Sequence, residues 1–137
     1  MTDAPPLPLP DPRAPCVLVI DADADLAGLI EQWLQPEGLH VRTVPRPGPG
    51  GTLVLAGGLA MALVIVDLPF PSRAHVDALR AQLGPQGPVP VLILSSTVFA
   101  SVDCCGPAAR SLGADGLLSK PTTGDALRRA VRSLLGS

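Results

Sequence analysis

The feature that most constrains the fold of this chain is a set of short, mainly apolar runs, each followed by a polar residue. The runs are Val17–Ile20, Ala62–Val66, Val89–Leu94 and Gly116–Ser119. The polar residues that stand where the runs end are Asp21, Asp67, Ser95 and Lys120. Apolar runs of about 4–8 residues are typical of strands that are covered on both faces. They predict a parallel sheet buried between helices.

Apolar residues at helical spacing fill the gaps between these predicted strands. The first helix carries Leu26, Leu29, Ile30, Trp33 and Leu34, and the last carries Leu127, Val131, Leu134 and Leu135. A further strand, Leu39–Val44, and a glycine-weakened helix, Thr52–Ala60, are predicted between them. Five strand–helix units with right-handed crossovers predict a doubly wound α/β sheet. Ligands of such sheets bind beyond the carboxyl ends of the strands, where the polar residues lie.

Local signals predict where several helices begin. Asp23 is expected at the start of the first helix, where the positive end of the helix dipole favours a carboxylate. Ser72 is expected to cap the helix that carries Val76 and Leu79, and Pro107 suits the first position of a short helix. Thr122 and Asp125, by their spacing, predict a capping box before the last helix.

Composition limits the classes of function. The chain has 137 residues and a net charge of −2, and its basic residues form no stripe, so we expect one domain and no direct nucleic-acid partner. No uncharged apolar run approaches the ~20 residues of a membrane span, and the start lacks a signal-peptide pattern. Three cysteines without zinc-binding spacing predict reduced thiols. A cytoplasmic location is the expectation.

The domain organisation follows from the distribution of proline. Residues 1–15 hold six prolines, a composition that cannot form a core and predicts a disordered, polyproline-like tail. A ligand for a proline-binding domain is the alternative interpretation of this tail. We therefore expect residues 16–137 to form the folded domain.

The polar residues at the strand ends, in their order along the chain, resemble the receiver domain of two-component response regulators. The matching residues are Asp21 after the first strand, Asp67 after the third, Ser95 after the fourth and Lys120-Pro121 after the fifth. The stretches "DLPFP" and "GADGLLSKP" also resemble the family patterns, and the resemblance runs from about Val17 to Leu135. It implies a flavodoxin-like, five-stranded parallel sheet with strand order 2-1-3-4-5 and helices on both faces.

The resemblance implies a site that accepts a phosphoryl group. Asp67 matches the aspartate that receives it from a histidine kinase or a small phosphodonor. Lys120 and Ser95 match the two residues that contact the phosphoryl oxygens, and Pro121 implies a cis peptide that aims the lysine. In the family, Mg²⁺ neutralises the phosphoryl oxygens. Its implied ligands here are Asp21, Asp67 and the carbonyl group of Pro69.

Two positions depart from the family pattern. Ala22 stands where receivers usually carry the acid that contacts the metal directly, so we expect weak Mg²⁺ binding and slow phosphoryl transfer. Leu117 stands where many receivers carry a Tyr or Phe that moves with the switch hydroxyl. Asp23 could replace the missing ligand, but its place at the start of a helix favours a capping role. The segment between Ser95 and Gly113 is longer than usual, which predicts a short or irregular fourth helix.

These observations predict a stand-alone, atypical receiver rather than an enzyme. Its expected partners are a histidine kinase or phosphotransfer protein and a downstream protein, and the sequence leaves a homodimer open. Because the chain ends at Ser137, the output is expected to pass by protein contact, through the face formed by the last two helices. The non-catalytic alternative is a pseudo-receiver that acts as a dimerisation or scaffold module without phosphorylation.

An enzyme alternative comes from the stretch "VLVIDADADL", which resembles the opening of haloacid-dehalogenase-type phosphatases. Asp21 would be the nucleophile and Asp23 the general acid/base. Asp25 stands where that family has Thr or Val, and too little chain follows Lys120 for its metal-binding acidic pair. Calcium binding is disfavoured as well, because Leu26 occupies the loop position that requires glycine.

Overall fold

The computed structural model of the protein describes residues 16–20, 22–44, 61–68, 70–83, 89–96 and 106–135. The predicted tail, residues 1–15, and the predicted helix Thr52–Ala60 lie outside the described residues. Asp21 and Pro69, two of the predicted metal ligands, lie outside them as well.

Five parallel strands form one sheet in the order β2-β1-β3-β4-β5, which confirms the predicted fold class. The strands are β1 Cys16–Ile20, β2 His40–Val44, β3 Met61–Asp67, β4 Val91–Ser95 and β5 Gly116–Ser119. β4 begins two residues later than its apolar run, because Pro90 has no N–H group for the strand ladder. The carboxyl ends of all five strands lie at one edge of the sheet.

Four α-helices are present in the described part of the chain: α1 Ala24–Leu34, α2 Arg73–Leu83, α3 Pro107–Ser111 and α4 Gly124–Leu135. A 3₁₀ turn, Gln35–Glu37, ends α1, and Gly38 follows it with a φ of 77°, a left-handed conformation that favours glycine. The five residues of α3 confirm the expectation of a short helix after the fourth strand. Within the described ranges, no helix is long and apolar enough to cross a bilayer.

Side-chain caps fix where these helices begin. The Asp23 carboxylate accepts a hydrogen bond from Leu26 N–H at 2.8 Å, and the Ser72 hydroxyl accepts one from His75 N–H at 3.2 Å, as predicted. The predicted capping box at Thr122 is wrong by one residue. Thr123 is the cap of α4, since its hydroxyl accepts from Ala126 N–H at 3.1 Å and its carbonyl from Leu127 N–H.

The core lies in two layers because alternate side chains of each strand point to opposite faces of the sheet. One layer lies under α1 and α4 and includes Val17, Val19, Ile30, Leu34, Leu63, Ile65, Leu92, Leu94, Leu127 and Val131. The other lies under α2 and α3 and includes Cys16, Leu18, Ile20, Val64, Val66, Val76, Leu79, Ile93, Ala109 and Leu117. The sheet is therefore covered on both faces, as the apolar runs predict.

Candidate functional site

Three of the predicted site residues meet at the carboxyl edge of the sheet. Asp67 ends β3, Ser95 ends β4, and Lys120 follows β5 directly. The ladder between β4 and β5 continues past the last strand residue, since Lys120 N–H donates to the Ser95 carbonyl at 2.8 Å. The parallel register therefore brings together residues that lie up to 53 positions apart in sequence.

An ion pair joins the two charged members of this group. Lys120 Nζ lies 2.7 Å from Asp67 Oδ2, and the two side chains are only 26% and 14% exposed. A charge-assisted hydrogen bond of this length is stronger than one between neutral groups, and limited solvent access preserves its strength. The cation at this edge is thus held directly on the carboxylate that the resemblance implies as phosphoacceptor.

The second oxygen of the same carboxylate is in a different situation. Asp67 Oδ1 is buried and has no hydrogen-bond partner among the described residues. A buried anionic oxygen without a partner is costly, and hard cations prefer oxygen ligands of this kind. This oxygen fits a Mg²⁺ ligand, although no cluster of three or more His, Cys, Asp or Glu occurs in the described segments. Within those segments, the fit to Mg²⁺ rests on Asp67 alone.

The segment after β1 contributes no described carboxylate to this edge. Ala22 is half-buried and packs against the apolar layer under α1 and α4. Asp23 is exposed and holds the N-terminus of α1 through its bond to Leu26 N–H, which confirms its capping role. Asp25 lies in the first turn of the same helix and is exposed.

The remaining predicted positions lie close to the strand ends. Ser95 is fully buried, and Leu117 is buried in the apolar layer under α2 and α3. The Lys120–Pro121 peptide bond is cis, as the resemblance implies. Leu117, which the resemblance aligns with the family's mobile aromatic ring, is therefore an aliphatic side chain within the core.

Comparisons with known proteins point to one family. No protein-family model matches the chain, and no curated protein does. The solution structure of a response regulator protein from Burkholderia multivorans is 30% identical, covers 88% of this chain and 94% of that one, and has a TM-score of 0.55. The chain belongs to the response-regulator receiver family.

Two further solved structures share the fold of this receiver. A response regulator from Thermotoga maritima is 20% identical over 90% of this chain and 99% of that one, with a TM-score of 0.67. A structure of the P1 domain of CheA3 in complex with CheY6 from R. sphaeroides matches at 24% identity over 90% and 98%, with a TM-score of 0.64. Receiver domains are generally non-enzymatic signalling modules that bind Mg²⁺ at an acidic pocket.

The three arginines of α4 received no role in the sequence-based predictions. Asp125, Arg128, Arg129 and Arg132 line a groove on α4. Their spacing of three and four residues places them on one face of a helix, and this signal is visible in the sequence. Charge stripes of this kind are usually solvated surfaces, so the spacing alone does not identify a groove.

Proposed function

We propose that this receiver accepts a phosphoryl group on Asp67 in two-component signalling and passes its signal on by protein contact. The observation that carries the proposal is the asymmetric environment of the Asp67 carboxylate. Lys120 holds one oxygen at 2.7 Å, while the other is buried and has no partner in the described part of the chain. One oxygen is thus paired with a cation, while the second keeps its charge for Mg²⁺ or for an incoming phosphoryl group.

The arrangement suits phosphoryl transfer to a carboxylate. A carboxylate oxygen of Asp67 forms a bond to phosphorus as the bond from phosphorus to the donor breaks. The donor atom is the imidazole nitrogen of a phosphohistidine or the oxygen of a small phosphodonor, and it leaves with the bonding electrons. Lys120 supplies positive charge where the transferred group brings negative oxygens, and electrostatic stabilisation is the main contribution to such reactions. Ser95, buried at the adjacent strand end, is the proposed hydroxyl contact. Bound Mg²⁺ would neutralise further phosphoryl charge, with Asp67, Asp21 and the Pro69 carbonyl as its proposed ligands.

The reaction is expected to be slow because the segment after β1 lacks an acid at one position. Ala22 brings no charge to the edge, and Asp23 caps α1. A weaker metal site leaves more of the repulsion between the carboxylate and the phosphoryl oxygens uncompensated. We therefore propose an atypical receiver with a low rate or a low yield of phosphorylation.

The proposed partners are a histidine kinase or phosphotransfer protein and a downstream protein. The R. sphaeroides structure that shares the fold is a complex of CheY6 with the P1 domain of CheA3, which supports a partner of that kind. The cytoplasmic location stays a prediction, and a homodimer stays an open alternative.

Acetyl phosphate tests the proposal directly. With acetyl phosphate and Mg²⁺, intact-mass measurement should show a slowly formed or partial phosphoryl adduct on the wild-type protein. Asp67→Asn should form none, because its amide is not a nucleophile. Asp77→Asn is the matched control, since it neutralises an exposed carboxylate on α2 and should behave as the wild type does.

Two results would contradict parts of the proposal. Fast and stoichiometric modification would show that Ala22 does not weaken the site. No wild-type adduct, in a protein that remains folded by circular dichroism, would favour the phosphorylation-independent pseudo-receiver that acts as a dimerisation or scaffold module.

A further inference from the structure

The groove on α4 is a surface separate from the Asp67–Lys120 pair. Its volume is about 410 Å³, and it is lined by Asp125, Arg128, Arg129 and Arg132. The opposite side of α4 carries Leu127, Ala130 and Val131, which are buried in the core. The groove therefore lies on the outer face of a helix whose inner face is fixed against the sheet.

Two contacts place this groove on the α1 side of α4. The Arg132 guanidinium pairs with the carboxylate of Glu37, in the 3₁₀ turn that follows α1. Arg128 and Trp33 both approach the backbone of Gly124, where a Cβ atom would lie 3.1 Å from Arg128 Nη1 and 2.7 Å from Trp33 Cδ1. The groove is thus bordered by α1 and differs from the face of the last two helices that the sequence suggests for output.

The groove has more positive charge than its own acids neutralise. Arg128 pairs with Asp125 at 2.5 Å, but Asp125 is 81% exposed, and exposed ion pairs contribute little to stability. Arg129 donates Nε–H only to the Asp125 carbonyl, at 3.4 Å, and has no carboxylate partner among the described residues. Arg129 is therefore available to an external anion, and the exposed pairs can be exchanged for new ones at low cost.

The spacing of the guanidinium groups suits an extended peptide. Arg128 and Arg132 are four residues apart, a rise of about 6 Å along a helix. Alternate side chains of an extended chain are separated by about 6.6 Å. Carboxylates at every second position of an extended segment can therefore meet successive arginines, and each guanidinium can bind a carboxylate through two parallel hydrogen bonds. The net charge of −2 on the whole chain disfavours a nucleic acid as occupant.

We propose that this groove docks an extended acidic segment of a partner protein. The inference rests on the proposed function in one respect, which is that the receiver acts through protein contact. It does not require a phosphoryl group on Asp67, and the binding measurement contains no phosphodonor. Failure of the groove and failure of the phosphorylation site are therefore observed in separate assays.

A labelled peptide, Glu-Ser-Glu-Ser-Glu, is the probe, and fluorescence anisotropy at low ionic strength is the measurement. The full-length protein should bind it, and should bind Gln-Ser-Gln-Ser-Gln much more weakly. Arg129→Ala should weaken binding by about tenfold, the loss expected for one charge-assisted hydrogen-bonded contact. Arg129→Lys should bind the peptide with an affinity between those of the wild-type protein and Arg129→Ala, because lysine retains the charge but lacks the planar guanidinium group.

The matched control is Arg110→Ala, which removes one exposed arginine from α3 on the other face of the sheet. Binding should be unchanged in this variant, and an equal loss would show that only the overall charge matters. Equal affinity for the glutamine peptide would overturn the proposal, and so would displacement of the probe by inorganic pyrophosphate at equal concentration. If circular dichroism shows that Arg129→Ala does not fold, the affinity of Arg129→Lys for the peptide tests the proposal instead. An affinity equal to that of the wild-type protein would overturn the role of the Arg129 guanidinium group.

Discussion

Ala22 lies between the end of β1 and the acidic start of α1, at the position that the resemblance assigns to a second acid. The side chain is half-buried against the apolar layer under α1 and α4, and the next residue, Asp23, caps the helix. The sequence alone leaves open whether the Asp23 carboxylate could reach the predicted Mg²⁺ site. Its 2.8 Å bond to Leu26 N–H shows that the carboxylate has a local partner, so the charge of the site depends on the remaining acids.

Restoring the acid should strengthen metal binding. We predict that Ala22→Asp tightens Mg²⁺ binding by about tenfold or more, measured by calorimetric titration. A unit charge about 4 Å from another gains about 1 kcal/mol in water and about 4 kcal/mol near a protein surface, and about 1.4 kcal/mol corresponds to tenfold in affinity. The acetyl phosphate reaction should become faster in the same variant.

The control for this change is Ala24→Asp, which adds the same charge at an exposed position in the first residue of α1. It should change the Mg²⁺ affinity much less, because a solvated charge is screened. An unchanged affinity in Ala22→Asp would show that residue 22 does not correspond to the metal-binding position of the family.

The positions of Asp67, Ser95 and Lys120 could be predicted because each ends or follows a buried strand, and parallel strands bring their carboxyl ends together. The sequence does not show which partner each oxygen of the Asp67 carboxylate has. Lys120 donates to Oδ2, whereas Oδ1 has no partner among the described residues. These contacts depend on how the ends of separate strands are positioned in space, which no local sequence pattern records. Single residues could therefore be assigned to the edge, but the partner of each Asp67 oxygen required the structure.

At the scale of helices and strands, the contact between α1 and α4 depends on one glycine. Trp33 on α1 packs so closely over Gly124, the first residue of α4, that a Cβ atom there would lie 2.7 Å from Trp33 Cδ1. Real Cβ atoms do not approach other atoms so closely, so the indole ring must move if a side chain is added. Gly28, within α1, has nothing within 4 Å of the corresponding point.

This difference predicts opposite effects of the same substitution. Gly124→Ala should lower the free energy of unfolding by about 1 kcal/mol, because the displaced indole outweighs the gain in helix propensity. Gly28→Ala should raise it by about 0.5–1 kcal/mol, because the added methyl group meets no neighbour and alanine favours the helix. Urea denaturation measures both changes.

Fluorescence of Trp33, the only tryptophan, provides the second measurement. Its emission should change in Gly124→Ala and stay as in the wild type in Gly28→Ala. Stabilisation by both substitutions would show that the ring moves without cost and that Gly124 does not limit the approach of the two helices.

The start of a helix could be predicted where a local sequence pattern marks it. Contacts between residues that are far apart in sequence could not be predicted in this way. The spacing of Thr122 and Asp125 indicated the start of α4 to within one residue, but Thr123 makes the cap. Arg80 on α2 donates to the carbonyls of Val89 and Gly113 and pairs with Asp115 at 3.0 Å. These partners lie 9 to 35 residues away along the chain. No local pattern could therefore have identified this link between α2 and the starts of β4 and β5.

At the scale of the whole molecule, the apolar layers on both faces of the sheet enclose β1 completely. β1 pairs with β2 on one side and with β3 on the other, and every residue of the strand is buried. Cys16 begins this strand and is fully buried, which agrees with the expectation of an unpaired, structural thiol for this cysteine. Its ionisation is therefore linked to the stability of the entire domain.

Burial raises the pKa of the Cys16 thiol above its ordinary value, and the positive charge of Arg42 lowers it by less. The folded protein therefore keeps this proton at a pH where the unfolded chain has begun to lose it. The resulting stability is fully present below the pKa of the unfolded thiol, about 8.5, and is lost as the pH rises through the higher pKa of the folded state.

We predict a decrease in the melting temperature across this alkaline range. Cys16→Ala should lower the melting temperature at every pH but reduce its alkaline slope, which separates the contribution of the thiol from every other alkaline effect. Equal slopes in the two proteins would show that Cys16 does not contribute.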